Sequence, residues 1–220
     1  MTTERPLELL HMNIFGPVAY ISIGGNKYGF VIVHDYSPFT WVFFSREKSE
    51  VQGIFKKFAR RAQNEFDVKI KRVRSDNGME FKNTNIEEFL DDEGIKHEFS
   101  VSYTPQQNGV VNRKNQTLIE AARAMLDEYK TPTNYWAEAV STTCHAINRL
   151  YLHKKRDKTT YKLLTSKSLR CTTLEFLDPS VSYLTRNPKT QSLHQRLMKV
   201  SCLVMVLMNM DIVFSIKPSV

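Results

Sequence analysis

The order of β-rich and helix-periodic segments constrains the fold of this chain more than any other feature of its sequence. Three β-rich runs follow one another closely, with turn residues between them: Leu7 to Phe15, Tyr28 to Val33 and Phe39 to Phe44. Helices and single strands then alternate, which gives the order β-β-β-α-β-α-β-α-α. This order predicts an α/β domain in which helices flank a five-stranded mixed sheet, and it argues against a helix bundle or a β-sandwich.

Apolar spacing sets the later elements. It predicts an amphipathic helix over residues 51–66 and a strand from Val68 to Val73 that ends in a Ser-Asp-Asn-Gly turn. Residues Thr104 to Gly109 read as a polar loop, and Asn112 then opens a long helix. Pro132 suits the first turn of the last predicted helix.

The amino-acid composition limits what this chain could bind and where it could function. The net charge is +8 and the isoelectric point is near 9.3, which favours an anionic partner such as nucleic acid. The three cysteines are too scattered for a disulfide framework or a closed zinc site. No stretch approaches the roughly 18 apolar residues of a membrane span, and the N-terminus lacks a signal-peptide pattern. We therefore expect an intracellular protein, nuclear or cytoplasmic, that is not secreted and has no membrane partner.

Three polar side chains occupy the positions where reacting groups gather in such a sheet, at strand ends and at the start of a helix. Asn13 lies near the end of the first strand, Asp76 ends the fourth, and Asn112 opens the long helix. Between Asp76 and Asn112 lie 35 residues.

Five segments in a fixed order carry a resemblance to a known family. They are HMNIFGP, YGFVIVHDYSPFTWVFF, RVRSDNGMEF, YTPQQNGVVNRKNQTLIEAARAML and YWAEAVSTTCHAINR. Together they resemble the integrase catalytic core of copia-type LTR retrotransposons, within the ribonuclease-H-like superfamily, over residues 7–167. The resemblance implies a ribonuclease-H-like fold, DNA as partner (element ends and target), and self-association. The zinc-binding domain that precedes this core in the family is missing from the sequence, so we expect a truncated, degenerate copy with residues 1–6 as a short extension.

The family's active site is a triad of Asp, Asp and Glu that holds two divalent ions, Mg²⁺ or Mn²⁺, for strand transfer. Carried over, the triad falls on Asn13, Asp76 and Asn112. An amide keeps the size and one oxygen of a carboxylate but loses its charge, so we expect a site with too little negative charge to bind the two ions productively. Asp76 remains as a weak metal ligand, and the chain is expected to be an inactive member of a polynucleotidyl transferase family.

Two further departures from the family pattern are Met79, where a second glycine is usual, and His34, where an aspartate is usual. Asp35 is retained. It reads either as a stand-in carboxylate for the site or, as we prefer, as a structural residue that caps the turn before Ser37.

The resemblance places four residues beside DNA: Gln107, Asn108, Arg113 and Lys114. Without it they are a generic polar loop and solvent-facing cations. Two other basic stretches each have two interpretations. The cations of residues 69–74 are either outward charges of a strand or DNA contacts. The basic run His153–Lys158 is a solvated linker or, as a less favoured alternative, a DNA contact or nuclear-localisation signal.

Three functions stay open from sequence. The favoured one is a decayed integrase core that folds and retains weak DNA binding. The others are a residually active strand-transfer enzyme that uses Asp76 and Asp35 with one metal, and a co-opted nucleic-acid-binding or protein-binding module without catalysis. A ribonuclease of the same fold is disfavoured, because the loop 104–109 and the 35-residue spacing resemble the integrase branch.

Residues 168–220 are predicted to be translated out of frame, in preference to the alternative of a divergent but genuine second domain. The resemblance stops at Lys167, and the tail lacks helical or strand periodicity. In the shifted frame Met198-Lys199 forces Glu, and Met205-Val206 and Met210-Asp211 force Gly, as in the segments that follow the core in copia-type polyproteins. Such a tail is expected to be irregular and protease-sensitive.

Overall fold

The computed structural model describes Thr3 and residues 5–100, 105–150, 152–153 and 156–166, with the backbone alone for residues 105–108. The predicted tail, residues 168–220, lies outside the described residues. The strands are β1 Leu9–Phe15, β2 Tyr28–His34, β3 Thr40–Ser45, β4 Arg72–Ser75 and β5 Lys96–Phe99. The helices are α1 Val51–Phe66, α2 Thr84–Glu93, α3 Pro105–Glu128, α4 Trp136–Leu150 and α5 Thr160–Thr165, and short 3-10 turns precede α1 and α4.

The five strands form one mixed sheet in the order β3-β2-β1-β4-β5. The first three pair antiparallel as a meander, whereas β4 pairs parallel with both β1 and β5. Because a parallel neighbour requires a crossover, α1 separates β3 from β4 and α2 separates β4 from β5. The predicted sheet and element order are confirmed, and the short α5 is an addition to them.

Each face of the sheet carries its own hydrophobic core. Phe30 and Ile32 of β2 pack with α1 and α2, whereas Val31 and Val33 pack with α3 and α4. Period-two alternation explains this division, because successive side chains of a strand point to opposite faces. The predicted placement of helices on both faces is confirmed. None of the helices in the described part of the chain has both the length and the apolar character that a membrane crossing requires.

The predicted strand from Val68 to Val73 was placed too early, because the observed strand β4 runs from Arg72 to Ser75. Helix α1 ends at Asp67 in the left-handed conformation, and residues 68–71 connect it to the sheet. The N–H of Ile70 donates to the side chain of Gln63 at 3.0 Å, and Ile70 is buried. The alternation in this stretch therefore reflects one anchoring side chain rather than a paired strand.

The prediction of a polar loop from Thr104 to Gly109 was also wrong from Pro105 onward, because these residues form the beginning of α3. Proline suits the first position of a helix, where its missing N–H would have no partner and its backbone angle is already helical. The long helix therefore begins seven residues before Asn112.

Candidate functional site

The alternation of β1 turns Asn13 toward α3. Leu10 and Met12 point into the core formed with α1 and α2, so His11 and Asn13 lie on the other face. There the Nδ2 of Asn13 donates a hydrogen bond to the Oδ1 of Asn112 at 2.5 Å. This bond joins two residues 99 positions apart in sequence and ties β1 to α3.

Asp76 directly follows β4, the strand that pairs parallel with β1. His11 is opposite Arg74 in the parallel pairing of β1 with β4. Extending this register by two residues, past the end of β4, would set Asp76 opposite Asn13, and adjacent strands lie about 4.8 Å apart. The structure thus joins Asn13 to Asn112 and sets Asp76 directly after β4, the strand next to β1.

Hydrogen bonds hold the turn that carries Asp76. The N–H of Gly78 donates to the Oδ1 of Asp76 at 3.2 Å, and the Nδ2 of Asn77 donates to the carbonyl of Ser100 at 3.1 Å. The Oγ of Ser75 donates to the carbonyl of Asp76 at 3.0 Å and lies 2.9 Å from the Nε2 of His97. The turn is therefore anchored on β5, which fixes where the Asp76 carboxylate stands.

A second carboxylate lies close to Asp76. Burial raises the pKa of Asp76, the Gly78 N–H opposes that rise, and the charge of Glu80 adds to it. Glu80 packs on Gly78, since a Cβ built on that glycine would lie 2.6 Å from the Glu80 Cδ, and it pairs with Lys48 at 3.4 Å. The sequence analysis missed Glu80 and Lys48. The available signal was the spacing of two carboxylates around a tight turn.

The donor set does not fit the two divalent ions that the resemblance implies. Such ions need several anionic oxygens, and the three positions supply one carboxylate. The Asn112 oxygen accepts an amide N–H, and one Asp76 oxygen accepts the Gly78 N–H. Within the described ranges, no three His, Cys, Asp or Glu side chains are grouped to hold a metal ion.

The four residues predicted to touch DNA differ in their surroundings. Arg113 is exposed, and its guanidinium lies against Gly109, one turn earlier in α3. Lys114 is half-buried toward α4, where burial lowers its pKa and Cys144 is its electrostatic neighbour. Gln107 and Asn108 lie in the first turns of α3, and their side chains are outside the described part of the structure.

Asp35 lies at the beginning of β1 rather than beside Asn13. Its N–H donates to the carbonyl of Leu9, and it is 4% exposed. The carboxylate accepts a hydrogen bond from Thr3 at 2.9 Å and lies 3.0 Å from the Nε2 of His11. This placement favours the structural interpretation of Asp35, with Thr3 and His11 as partners.

The two other departures from the family pattern have different surroundings. Met79 is 79% exposed at the tip of the turn that follows Asp76. His34 is buried: its Nε2 accepts the Leu7 N–H at 2.8 Å, and its Nδ1 lies 2.7 Å from the Ser37 Oγ. Met79 therefore faces solvent beside the site, whereas His34 has a structural role.

Comparison with known proteins identifies the family. Residues 3–105 match the integrase core domain family. The Pol polyprotein of the transposon TNT 1-94 from Nicotiana tabacum is 42% identical over 143 residues, or 65% of this chain. Residues 3–105 belong to the integrase core domain family. Pol polyproteins of the Arabidopsis thaliana transposons RE2 and RE1 are 31% and 30% identical over 151 residues, or 68% of the chain. The chain spans about a tenth of the length of these curated relatives, 11% for TNT 1-94 and 10% for the other two.

Solved integrases share the fold. The simian T-cell lymphotropic virus intasome in complex with PP2A regulatory subunit B56 gamma contains a chain that superposes with a TM-score of 0.59 at 18% identity, covering 74% of this chain and 56% of the other. The HTLV-2 integrase catalytic core domain, in complex with magnesium in a trimeric form, gives 0.54 at 17% identity, covering 72% and 96%. The predicted ribonuclease-H-like fold is confirmed.

Proposed function

We propose that this chain is a copia-type integrase core that binds DNA and does not carry out strand transfer. The observation that carries the proposal is the hydrogen bond between the amides of Asn13 and Asn112 at two of the three positions that the family pattern assigns to metal-binding carboxylates. An amide oxygen is a neutral ligand, and here the Asn112 oxygen is already occupied by an N–H donor. Of the three positions only Asp76 carries a charge, and the neighbouring Glu80 is paired with Lys48, which leaves too little negative charge to hold two cations against their mutual repulsion.

The net positive charge and the structural neighbours support the proposed binding of DNA. The net charge of +8 favours a polyanion. One structural neighbour belongs to an intasome, and another is described in a trimeric form, so DNA and self-association are the partners that we propose. A DNA-binding role would place the protein in the nucleus.

An oligonucleotide assay tests both halves. The full chain is incubated with labelled duplex DNA and Mg²⁺ or Mn²⁺, and joined products are separated on a denaturing gel. We expect no product from the unmodified chain and measurable duplex binding by fluorescence anisotropy. Strand transfer by the unmodified chain would overturn the proposed inactivity, and absence of duplex binding would overturn the proposed DNA role. The variant Asn13→Asp/Asn112→Glu restores the charges and shows whether the edge geometry still supports chemistry.

We propose residues 7–167 as the core and residues 168–220 as an out-of-frame segment. The support is the codon argument from Met198, Met205 and Met210, which leaves no synonymous freedom at those positions. Sequencing the gene tests it, since codons that cannot spell the shifted segments would refute the frameshift.

A further inference from the structure

A basic surface lies near the turn between β2 and β3, at the opposite end of the sheet from the Asn13–Asn112 pair. Residues 139–166 contain six lysines and arginines against one aspartate, Asp157. Of these, Arg149 lies near the end of α4, Arg156 and Lys158 precede α5, and Lys162 lies in α5. We call these four residues the α4–α5 basic surface.

Packing brings these cations to one region of the structure. The guanidinium of Arg149 lies over the ring of Tyr161 at 4.9 Å, which joins the end of α4 to α5. The guanidinium of Arg156 lies over the ring of Tyr36 at 4.1 Å, which joins the segment before α5 to the turn between β2 and β3. These stacking contacts hold two planar cations in place without using a carboxylate.

Buried hydrogen bonds fix the platform under the surface. Asn148 donates to the carbonyl of Thr40 at 2.7 Å and accepts the Thr40 N–H at 2.9 Å, which ties α4 to β3. The Oγ1 of Thr160 donates to the Asn148 carbonyl at 2.7 Å, which ties α5 to the same point. Arg149 and Lys162 therefore lie on helices that are tied to β3 and to each other.

Little negative charge offsets the α4–α5 basic surface. Among the ion pairs of the described residues, none includes Arg149, Arg156, Lys158 or Lys162. By contrast, Arg74 of β4 pairs with Glu98 at 2.7 Å. Asp157 is exposed beside the surface, and Asp35, next to Tyr36 in sequence, is buried and bonded to Thr3 and His11. The surface thus presents a concentrated positive charge.

We propose that the α4–α5 basic surface binds the phosphate backbone of duplex nucleic acid as a contact separate from the Asn13 edge. The inference rests on the proposed DNA-binding function and adds a location to it. A guanidinium held over a ring can still donate its outer N–H groups to phosphate oxygens, although one N–H of Arg149 is used by the His145 carbonyl at 3.5 Å. Lysines add charge that releases counterions from the duplex. Contacts of this type fix orientation and carry no sequence preference.

The scarcity of exposed apolar side chains at this surface favours a nucleic acid over an acidic protein as its partner. Protein interfaces are anchored by buried aromatic and aliphatic side chains. The large hydrophobic side chains that are exposed in the described part of the chain lie elsewhere: Tyr20, Ile21, Ile23, Val68, Met79 and Tyr135. The tyrosines at the basic surface are covered by arginines. The α4–α5 basic surface therefore fits a partner that is recognised by its charge, such as a nucleic acid, better than an acidic protein.

Salt-dependent binding tests the proposal on the full chain. The variant Arg156→Gln/Lys158→Gln/Lys162→Gln removes three exposed charges. Each lost phosphate contact lowers the slope of log affinity against log salt by about 0.9. We expect the slope to fall by about 2–3 and the affinity for a random-sequence duplex at 0.1 M salt to fall about tenfold or more. The control Lys57→Gln/Lys96→Gln/Lys130→Gln removes the same charge from exposed positions outside every candidate DNA contact and should change the affinity far less.

The outcomes separate this inference from the proposed function. Failure of the unmodified chain to bind duplex overturns both. Normal duplex binding with equal losses in the two triple variants overturns the surface alone. Poly-L-glutamate that competes as well as DNA at equal charge concentration would show an acidic protein partner and also overturn it. If the variant does not fold, acetylation footprinting of the unmodified chain decides: DNA should protect Lys158 and Lys162 but leave Lys57 reactive.

Discussion

Asn13 and Asn112 can be replaced by aspartate, first singly and then together. Comparing these variants separates the effect of the hydrogen bond between the two side chains from the effect of charge repulsion. In either single variant the remaining amide turns its N–H toward the new carboxylate, so the bond between the two side chains persists as a charge-assisted one. The gain of a stronger hydrogen bond is opposed by the nearby charge of Asp76. We therefore expect each single variant to unfold with a free energy close to that of the unmodified chain.

The double variant has no donor left between the two side chains. It loses a hydrogen bond with a net contribution of about 1 kcal/mol. It also brings two negative charges within about 4 Å, which costs about 1 kcal/mol in bulk water and about 4 kcal/mol at the effective dielectric constant of a protein surface. Asn112 is exposed and Asn13 half-buried, so a value between these limits applies. The coupling free energy between the substitutions should be about 2–4 kcal/mol, unfavourable.

Urea denaturation measures this coupling when it is carried out at pH 7 on the unmodified chain, the two single variants and the double variant. Each protein is measured with and without roughly 10 mM MgCl₂. The cation should stabilise the double variant selectively, because it binds the folded form with three carboxylates together. Asn64→Asp on the exposed face of α1 is a control for added charge. If the free-energy effects of the two substitutions were additive without metal, the contact between Asn13 and Asn112 would be refuted. If Mg²⁺ stabilised the unmodified chain as much as the double variant, our interpretation of the donor set would be refuted.

Two predictions concern the fold. Burial lowers the pKa of His34 to about 4, so the folded state binds fewer protons than the unfolded state below the ordinary value of 6.5. Stability should therefore fall by about 3 kcal/mol as the pH drops from 6.5 to 4, and urea denaturation across this range should show a weaker fall in His34→Gln. A Cβ at Gly29 would lie 2.1 Å from the ring of Phe15, so Gly29→Ala should lower the unfolding free energy by about 1–3 kcal/mol. Gly53→Ala, with open space around it on α1, should raise it by about 0.5–1 kcal/mol, and a loss at both glycines would contradict this explanation.

Periodicity predicted the sheet because the side chains of β2 alternate between two cores. It failed where one buried residue mimicked a strand, as at Ile70, and where a polar segment formed a helix, as after Pro105. A helix start that is rich in Gln, Asn and Gly has weak local preference, and the contacts of the following turns decide it.

The candidate site was predictable in its positions but not in its contacts. The family resemblance gave Asn13, Asp76 and Asn112, and strand order brings the first two together. The sequence could not show that the two amides bond each other, since a separation of 99 residues carries no local signal. It also could not place Glu80 against Gly78, because the direction of a side chain at a turn depends on backbone geometry.

The shared strand β2 makes the two halves of this protein dependent on each other. The segment that matches the integrase core domain family ends at residue 105, where α3 begins. A polypeptide cut there would keep the packing of Phe30 and Ile32 but would leave Val31 and Val33 facing water, with nothing over that side of the sheet. Such a fragment would pair with other copies through its bare surface rather than remain monomeric. The smallest autonomous unit of this chain therefore reaches at least to the end of α4, well past the boundary that similarity alone would draw.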